Sequence, residues 1–241
     1  MNETITTIPF SSLVLVFLPV AVVIGLLHTW SLEWKNAIYA ILRMLIQLLL
    51  IGYFLSYIFE SEDASITVGV LSVMVFAASW IALGSIQHKR RAFYQFALLS
   101  ILVGGGLTLL LVTQFVLQLD PWFMPRYMIP LAGMIFASSM NGVSLAAERL
   151  ESEMTRDVSY FKARGIALRA ALIPITNSLF AVGLVSLPGM MTGQILSGIS
   201  PLIAVRYQIM VMCMIFSAVG FSTAMFLMLI KPQLSELASE E

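Results

Sequence analysis

Five uncharged hydrogen-bonding side chains punctuate the most apolar parts of this sequence: Gln47, Asn141, Asn177, Gln194 and Gln208. Polar groups in an apolar chain face the interior of a helical bundle. Each is therefore either a lining residue of a path or packing glue between helices. Arg43 stands four residues before Gln47, so the two share a helix face. Arg43 either snorkels to the nearer interface or makes a polar contact inside a bundle.

Catalytic constellations are missing. No Gly-Lys pair exists, so the phosphate-cradling P-loop is absent. The two histidines, His28 and His88, stand alone, which excludes the HExxH zinc motif. No GxSxG elbow occurs and no carboxylate lies well inside an apolar run. Ion-coupled carriers place ionisable groups at membrane depth. Here that depth offers amides, hydroxyls and thioethers. A bare hard cation would meet backbone and amide oxygens, or travel as a complex.

Sulfur is the other available chemistry. Met190-Met191 and the series Met210, Met212, Met214 are two of the methionine groupings among fifteen methionines. On a helix Met210 and Met214 share a face and Met212 does not. The preferred reading is polarizable packing filler, with soft-metal ligation as the alternative. The sequence assigns no metal site. The single cysteine, Cys213, excludes an intrachain disulfide and a CxxC motif.

These groups need an apolar frame to hold them. The 241 residues are 59% hydrophobic with mean hydropathy +0.94, and only 11% are charged. A soluble domain carries roughly a quarter charged residues, so the surplus apolar surface needs lipid. The net charge is zero, which gives no electrostatic case for nucleic acid. The first apolar run, 10–29, is too long for a signal-peptide core and reads as a retained span.

A span needs about 20 apolar residues. Seven runs qualify, at 10–29, 36–58, 64–86, 93–118, 127–147, 170–187 and 206–230. The expected fold is an all-α polytopic transmembrane bundle of about seven spans, forming one domain over 1–241. Under alternation Lys35, Lys89, Arg90, Arg91, Arg149, Arg156, Lys162, Arg164, Arg169 and Lys231 fall on one side. Arg126, Arg206, Glu60, Glu62, Asp63 and Asp120 fall on the other. The positive-inside bias then puts the N-terminus out and the C-terminus in.

Two segments depart from plain spans. The stretch 148–169 mixes both signs of charge around Tyr160 and Phe161. It is either a surface helix that docks a cytoplasmic partner or a solvated extension of the fifth span. The second is 188–201, inside 36 uncharged residues from Ala170 to Val205. A helix that long would measure ~54 Å against a hydrocarbon core of ~30 Å, so it must break. Pro188-Gly189 is the expected stop and Ser200-Pro201 a second boundary. Gly189, Gly193 and Gly198 would permit close backbone approach. Irregular backbone at depth survives only when buried in protein or facing water. The segment is expected inside the bundle or at its outer mouth, with an external turn carrying an amphipathic piece as the alternative.

"ALIPITNSLFAVGLVSLPGMMTGQILSG", then "SPLIAVRYQIMVM", resembles the signature of the FetB/YbbM-type ABC-transporter permeases. That family includes a bacterial iron-export permease and plant proteins of aluminium tolerance. The likeness is looser over "RMLIQLLL" and "IPLAGMIFASSM". This chain carries Ala137-Ser138 where members have a Gly-Asn pair, and its charged loop lacks a Leu-Gly-Ala-Thr-Pro piece. The resemblance implies a non-catalytic permease subunit of a bacterial inner membrane that exports iron or another metal. It would be a homodimer joined to separate ABC ATPase chains, which bind the ATP and Mg; this chain holds no cofactor. Export of an organic solute such as a nucleotide-sugar, or a non-transporting scaffold, are the alternatives. The resemblance makes 148–169 the coupling loop, with Arg156, Tyr160, Phe161, Lys162 and Arg164 at the ATPase. Path and gate residues are then Arg43, Gln47, Asn141, Asn177, Gln194 and Gln208, with Pro188, Gly189, Met190, Met191 and Gly193 in the outer segment.

Overall fold

Lipid offers no hydrogen bonds, so a spanning chain must satisfy its own backbone, and helices do this within one segment. The computed structural model describes residues 8–61 and 63–231. Glu62, counted among the outward-facing acids, lies outside the described residues. The chain divides into two compact units, 1–61 and 62–241.

The first unit holds α1 (Phe10–Val14), α2 (Phe17–Thr29) and α3 (Trp34–Glu60). Ser31, at φ 57°, reverses the chain between α2 and α3. The Leu32 amide donates back to the Leu27 carbonyl at 2.8 Å, and His28 meets the edge of Trp34 at 5.3 Å. Arg43 and Gln47 are both exposed on α3.

The second unit holds α4 (Ala64–Ala82), a 3₁₀ segment (Gly84–Lys89), α5 (Arg90–Leu110), which widens into a π turn over Leu111–Val116, then α6 (Pro125–Met154), α7 (Tyr160–Ala181), α8 (Gly189–Leu196) and α9 (Pro201–Leu229). The start of α4 is tied to the outer end, where the Thr67 hydroxyl donates to the Phe123 carbonyl at 3.1 Å. Its other end meets Arg90, whose Nε donates to the Trp80 carbonyl at 2.9 Å while the guanidinium lies 3.9 Å over the Trp80 ring. The Tyr160 hydroxyl at the start of α7 donates to the Leu227 carbonyl near the end of α9. Met190 of α8 lines one pocket with Tyr207 and Met210 near the other end of α9. Helices α4, α5, α6, α7 and α9 thus alternate in direction. Arg90, Arg149, Arg156, Lys162, Arg164 and Lys231 gather at one end, which the positive-inside bias assigns to the cytoplasm.

Among the described residues six helical stretches are long and apolar enough to cross a membrane: Ser11–Thr29, Trp34–Glu60, Ala64–Ala82, Arg90–Val116, Pro125–Met154 and Pro201–Leu229. The expected seventh, 170–187, is not among these six, although α7 runs between the same two ends as its neighbours. Its helix, α7, begins ten residues earlier and brings Lys162, Arg164 and Arg169 into its first half, which leaves a shorter apolar stretch. It also ends early, because Gly183 at φ 84° turns the chain and donates to the Ser186 carbonyl at 3.0 Å. Only glycine adopts that conformation without strain. Pro188 therefore starts α8 rather than stopping α7. Proline suits a helix start, where its missing N–H removes no bond. The surface helix expected within 148–169 does not form: α6 runs on to Met154 and α7 begins at Tyr160. Asp157 at φ 59° closes the short turn between them.

The outer segment is also corrected. Leu184 is 90% exposed and no residue of α8 is buried. A Cβ on Gly189, Gly193 or Gly198 would meet open space. The stretch is an external turn followed by a short helix against α9, not a segment threaded into the bundle.

Close packing occurs elsewhere, where α5, α6 and α9 cross. A Cβ on Gly104 would lie 2.7 Å from the Ser222 backbone nitrogen, and one on Gly142 would lie 2.8 Å from Thr223 Oγ1. Between them the buried Ser222 hydroxyl donates to Ser139 Oγ at 3.2 Å. Small residues let membrane helices approach this closely. Gly104→Ala must push α9 away and is expected to destabilise the fold by about 1–3 kcal/mol. Gly106→Ala, facing open space, should be neutral or slightly stabilising; thermal unfolding of both variants in detergent checks the contrast.

The start of α4 supplies a pH prediction. Asp63 Oδ1 accepts from the Ser65 amide at 2.8 Å, and this bond holds the carboxyl below its ordinary value. A depressed carboxyl contributes stability above its unfolded pKa and loses it as pH falls through the folded one. Acid titration of unfolding should show this loss in the parent chain and not in Asp63→Asn.

Candidate translocation cleft and coupling end

Halfway along α6, where the sequence reads "ASSMN", two polar side chains face α7. Ser138 and Asn141 of α6, Pro174 and Ser178 of α7, and Ile215 and Val219 of α9 line a cleft of about 170 Å³. Pro174 has no N–H, so the Ala170 carbonyl receives no helical bond from it. The Ser178 hydroxyl donates to the Pro174 carbonyl at 3.0 Å. Two hydroxyls and an amide thus share an open cleft at mid-length of the helices; Asn141 and Ser178 are exposed there, and Asn141 does not face the bundle interior as expected. That is the depth at which transporters bind solutes, beside interrupted helices.

Asn177 lies one residue from Ser178 and lines a separate groove of about 440 Å³ with Arg169 and Thr176. Gln208 and Gln194 stand further out. Gln208 is only 5% exposed, and its Oε1 accepts no hydrogen bond from the described residues. The Gln194 Oε1 is likewise buried and unpaired. Met190 joins Arg126, Tyr127, Tyr207 and Met210 around an outer pocket of about 260 Å³. Met191 is half-buried on α8. Pro188, Gly189 and Gly193 shape α8 without touching the cleft. Arg43 and Gln47 belong to the N-terminal unit. Thus the polar residues singled out in the second unit fall at two levels, mid-depth and outer end.

Sequence reasoning missed Ser138 and Ser178. A serine four residues after a proline in a helix is a readable signal, because its hydroxyl reaches back to the i−4 carbonyl.

The cytoplasmic end is built differently. Glu153 is buried, and the Arg149 guanidinium meets it at 2.6 Å one turn away. Tyr160 turns inward to α9 through the bond to Leu227. Phe161 turns outward and is 62% exposed, with the Arg164 guanidinium 4.9 Å and the Lys231 Nζ 4.7 Å from its ring centre. Arg156 and Lys162 are exposed beside it. Tyr160 therefore fastens the α6–α7 turn to α9, while Phe161 offers an apolar ring flanked by cations. Tyr160→Phe keeps the ring and removes the bond to Leu227. It should lower stability by about 1 kcal/mol, read as a fall in midpoint on thermal unfolding in detergent.

Among the described residues no three His, Cys, Asp or Glu side chains cluster to hold a metal. No solved structure matches the chain. The profile described as "Uncharacterised protein family (UPF0014)" matches residues 10–164 and, in a second match, 155–234. The chain is 35% identical to the "Probable iron export permease protein FetB" of Escherichia coli K12, covering 92% of this chain and 90% of that protein. It is 35% identical to the "Protein ALUMINUM SENSITIVE 3" of Arabidopsis thaliana, over 89% and 82% of the two chains. It is 30% identical to the "UPF0014 membrane protein YjkA" of Bacillus subtilis 168, over 92% and 93%. Helices that span and relatives that match over most of their length agree: this chain is a multi-pass membrane protein of the UPF0014 family.

Proposed function

We propose that this chain is the membrane permease subunit of an ABC transporter that exports iron or another metal. ATP and Mg bind a separate ATPase chain, and two permease copies pair in the inner membrane of a bacterium. The whole chain serves as the permease domain, without catalysing a reaction itself. The observation that carries this reading is the likeness to FetB over nearly the full length of both chains. The coupling end adds physical support. An exposed aromatic ring beside Arg164 and Lys231 suits an apolar pocket with an acidic rim. The absence of a P-loop is consistent with ATP being hydrolysed on another chain.

In this mechanism the ATPase grips Phe161, with Arg156, Lys162 and Arg164 setting register. Movement of the turn reaches α9 through Tyr160 and Leu227, and α7 through its own backbone. The cleft between α6, α7 and α9 then changes shape around Asn141, Ser138 and Ser178. The outer segment from Pro188 to Gly198, with Gln194, Met190 and Met191, opens or reseals the far side. Asn177 and Gln208 serve the path at other levels of the second unit.

Affinity purification of the tagged chain from gently solubilised membranes should yield one P-loop ATPase per permease. Phe161→Ala should lose that partner while the permease stays folded; retention at full stoichiometry would remove Phe161 from coupling. In vesicles holding the intact complex, Asn141→Ala should cut ATP-dependent metal export at least tenfold with assembly unchanged. Normal export would remove the mid-depth cleft from the path.

A further inference from the structure

The outward face of α7 does not suit the lipid it would otherwise meet. Ala163, Ala167 and Ala171, one turn apart, are buried in the bundle. Gly165, Arg169, Ile173 and Asn177, each two residues past that spacing, are all exposed. Two residues turn a helix through about 200°, so the exposed stripe points away from the bundle. Beside it, Asn141 of α6 and Ser178 of α7 are exposed in the mid-depth cleft. Along α6, Asn141 lies ~10 Å from Glu148 and ~22 Å from Arg126, the nearest charged residues on either side. Asn177 lies ~12 Å outward of Arg169 along α7. Both amides therefore fall within a hydrocarbon layer of ~30 Å. Neither has a hydrogen-bond partner among the described residues. Acyl chains offer none, so polar groups at this depth need protein or water against them. The opposite case is the groove of about 700 Å³ between α5 and α9, lined chiefly by apolar side chains such as Leu107, Leu111, Ile209 and Phe221. Lipid can cover that wall.

We propose that the outward face of α7 from Arg169 to Asn177, with Asn141 beside it, is the surface through which two copies of this chain pair. The inference rests on the reading that two copies pair, and it names the face. Depth and chemistry both select a second copy over another partner. Two copies inserted in the same orientation, related by a two-fold axis along the membrane normal, present the same patch to each other. Every residue then meets its partner at its own depth. Amide faces amide, and Ile173 faces an apolar neighbour. A side-chain amide both donates and accepts, so a patch of amides is complementary to itself. Arg169 stands nearer the cytoplasmic end, where its long side chain reaches water and its charge is screened from the same residue of the second copy. The cleft that holds Asn141 and Ser178 opens beside this face, so each copy closes the open side of the other's cleft. Its wall is incomplete in a single chain.

The test uses the full-length chain in its native membrane. Cys213→Ser removes the native thiol, and single cysteines are then introduced by Ile173→Cys on the proposed face and Leu107→Cys on the α5 wall. A short bis-maleimide should join Ile173→Cys chains into a product of twice the chain mass. Leu107→Cys should give at least tenfold less. Asn177→Cys, on the same stripe, should behave like Ile173→Cys. In parallel, the mass of the gently solubilised parent complex counts its permease copies. The double variant Asn141→Leu/Asn177→Leu keeps the bundle contacts and should weaken self-association in detergent at least threefold. Equal products from both walls would mark random collision and overturn the proposal. So would a product carrying a different protein, a link formed within one chain, or unchanged association of the double variant. Two copies by mass with no product at Ile173→Cys or Asn177→Cys would overturn the face and leave the pairing. One copy by mass would remove the pairing itself, and the face with it.

Discussion

Backbone-to-backbone approach at the crossing of α5, α6 and α9 is the constraint on which the second unit depends. Gly104 lets the α9 backbone at Ser222 come to a distance that a methyl group would forbid, and Gly142 does the same beside Thr223. Lipid tails are as apolar as leucine, so burial of apolar surface supplies no drive for these helices to associate. Close packing and the Ser222–Ser139 hydrogen bond must supply it. Once α6 and α9 are fixed by this contact, α7 has one seat, alongside both. The mid-depth cleft is the space left where Pro174 and the small residues of α6 fail to fill that seat.

Polar chemistry is distributed by depth. At the cytoplasmic end, charge sits in water or is paired, as Arg149 and Glu153 are. The mid-depth cleft offers hydroxyls and an amide. Toward the outer end lie Gln194 and Gln208, whose amide oxygens are buried without donors from the described residues. An unpaired buried acceptor costs roughly 1–3 kcal/mol, which a bundle built for packing alone would avoid. Apolar side chains line a different wall, on the α5 side of α9. One helix, α9, therefore borders both a polar cleft and an apolar groove, and its cytoplasmic end is bonded to the turn at Tyr160.

Much of this was legible in the sequence because lipid imposes a length. Apolar runs such as 36–58 and 127–147 lie within the helices that form, and Pro201 marks the start of α9 as expected. What was not legible depends on neighbours or on local turn chemistry. The charges of 160–169 hide a helix start, since basic residues at a cytoplasmic interface cost little in either conformation. Pro188 read as a stop because proline breaks a running helix; Gly183 had already ended it, so the same residue opens the next. Glycines 104, 105 and 106 look alike in sequence, yet only the first two face neighbouring helices closely. Glycines 189, 193 and 198 look poised for such contact and face open space. The reading of Met210, Met212 and Met214 as packing filler agrees with the structure, which buries Met212 and Met214 and packs Met210 against the core.

The position of Lys231 has a practical consequence. Its ammonium lies 4.7 Å from the Phe161 ring, so the chain just past α9 and the proposed docking surface are one patch. Any fluorescent protein, affinity handle or immobilising linker fused directly after Lys231 would crowd the face that the proposed partner would use. Such a fusion would report a lonely membrane protein whatever its true company. Handles for interaction studies belong at the outer turn near Leu184, which the bundle leaves uncovered.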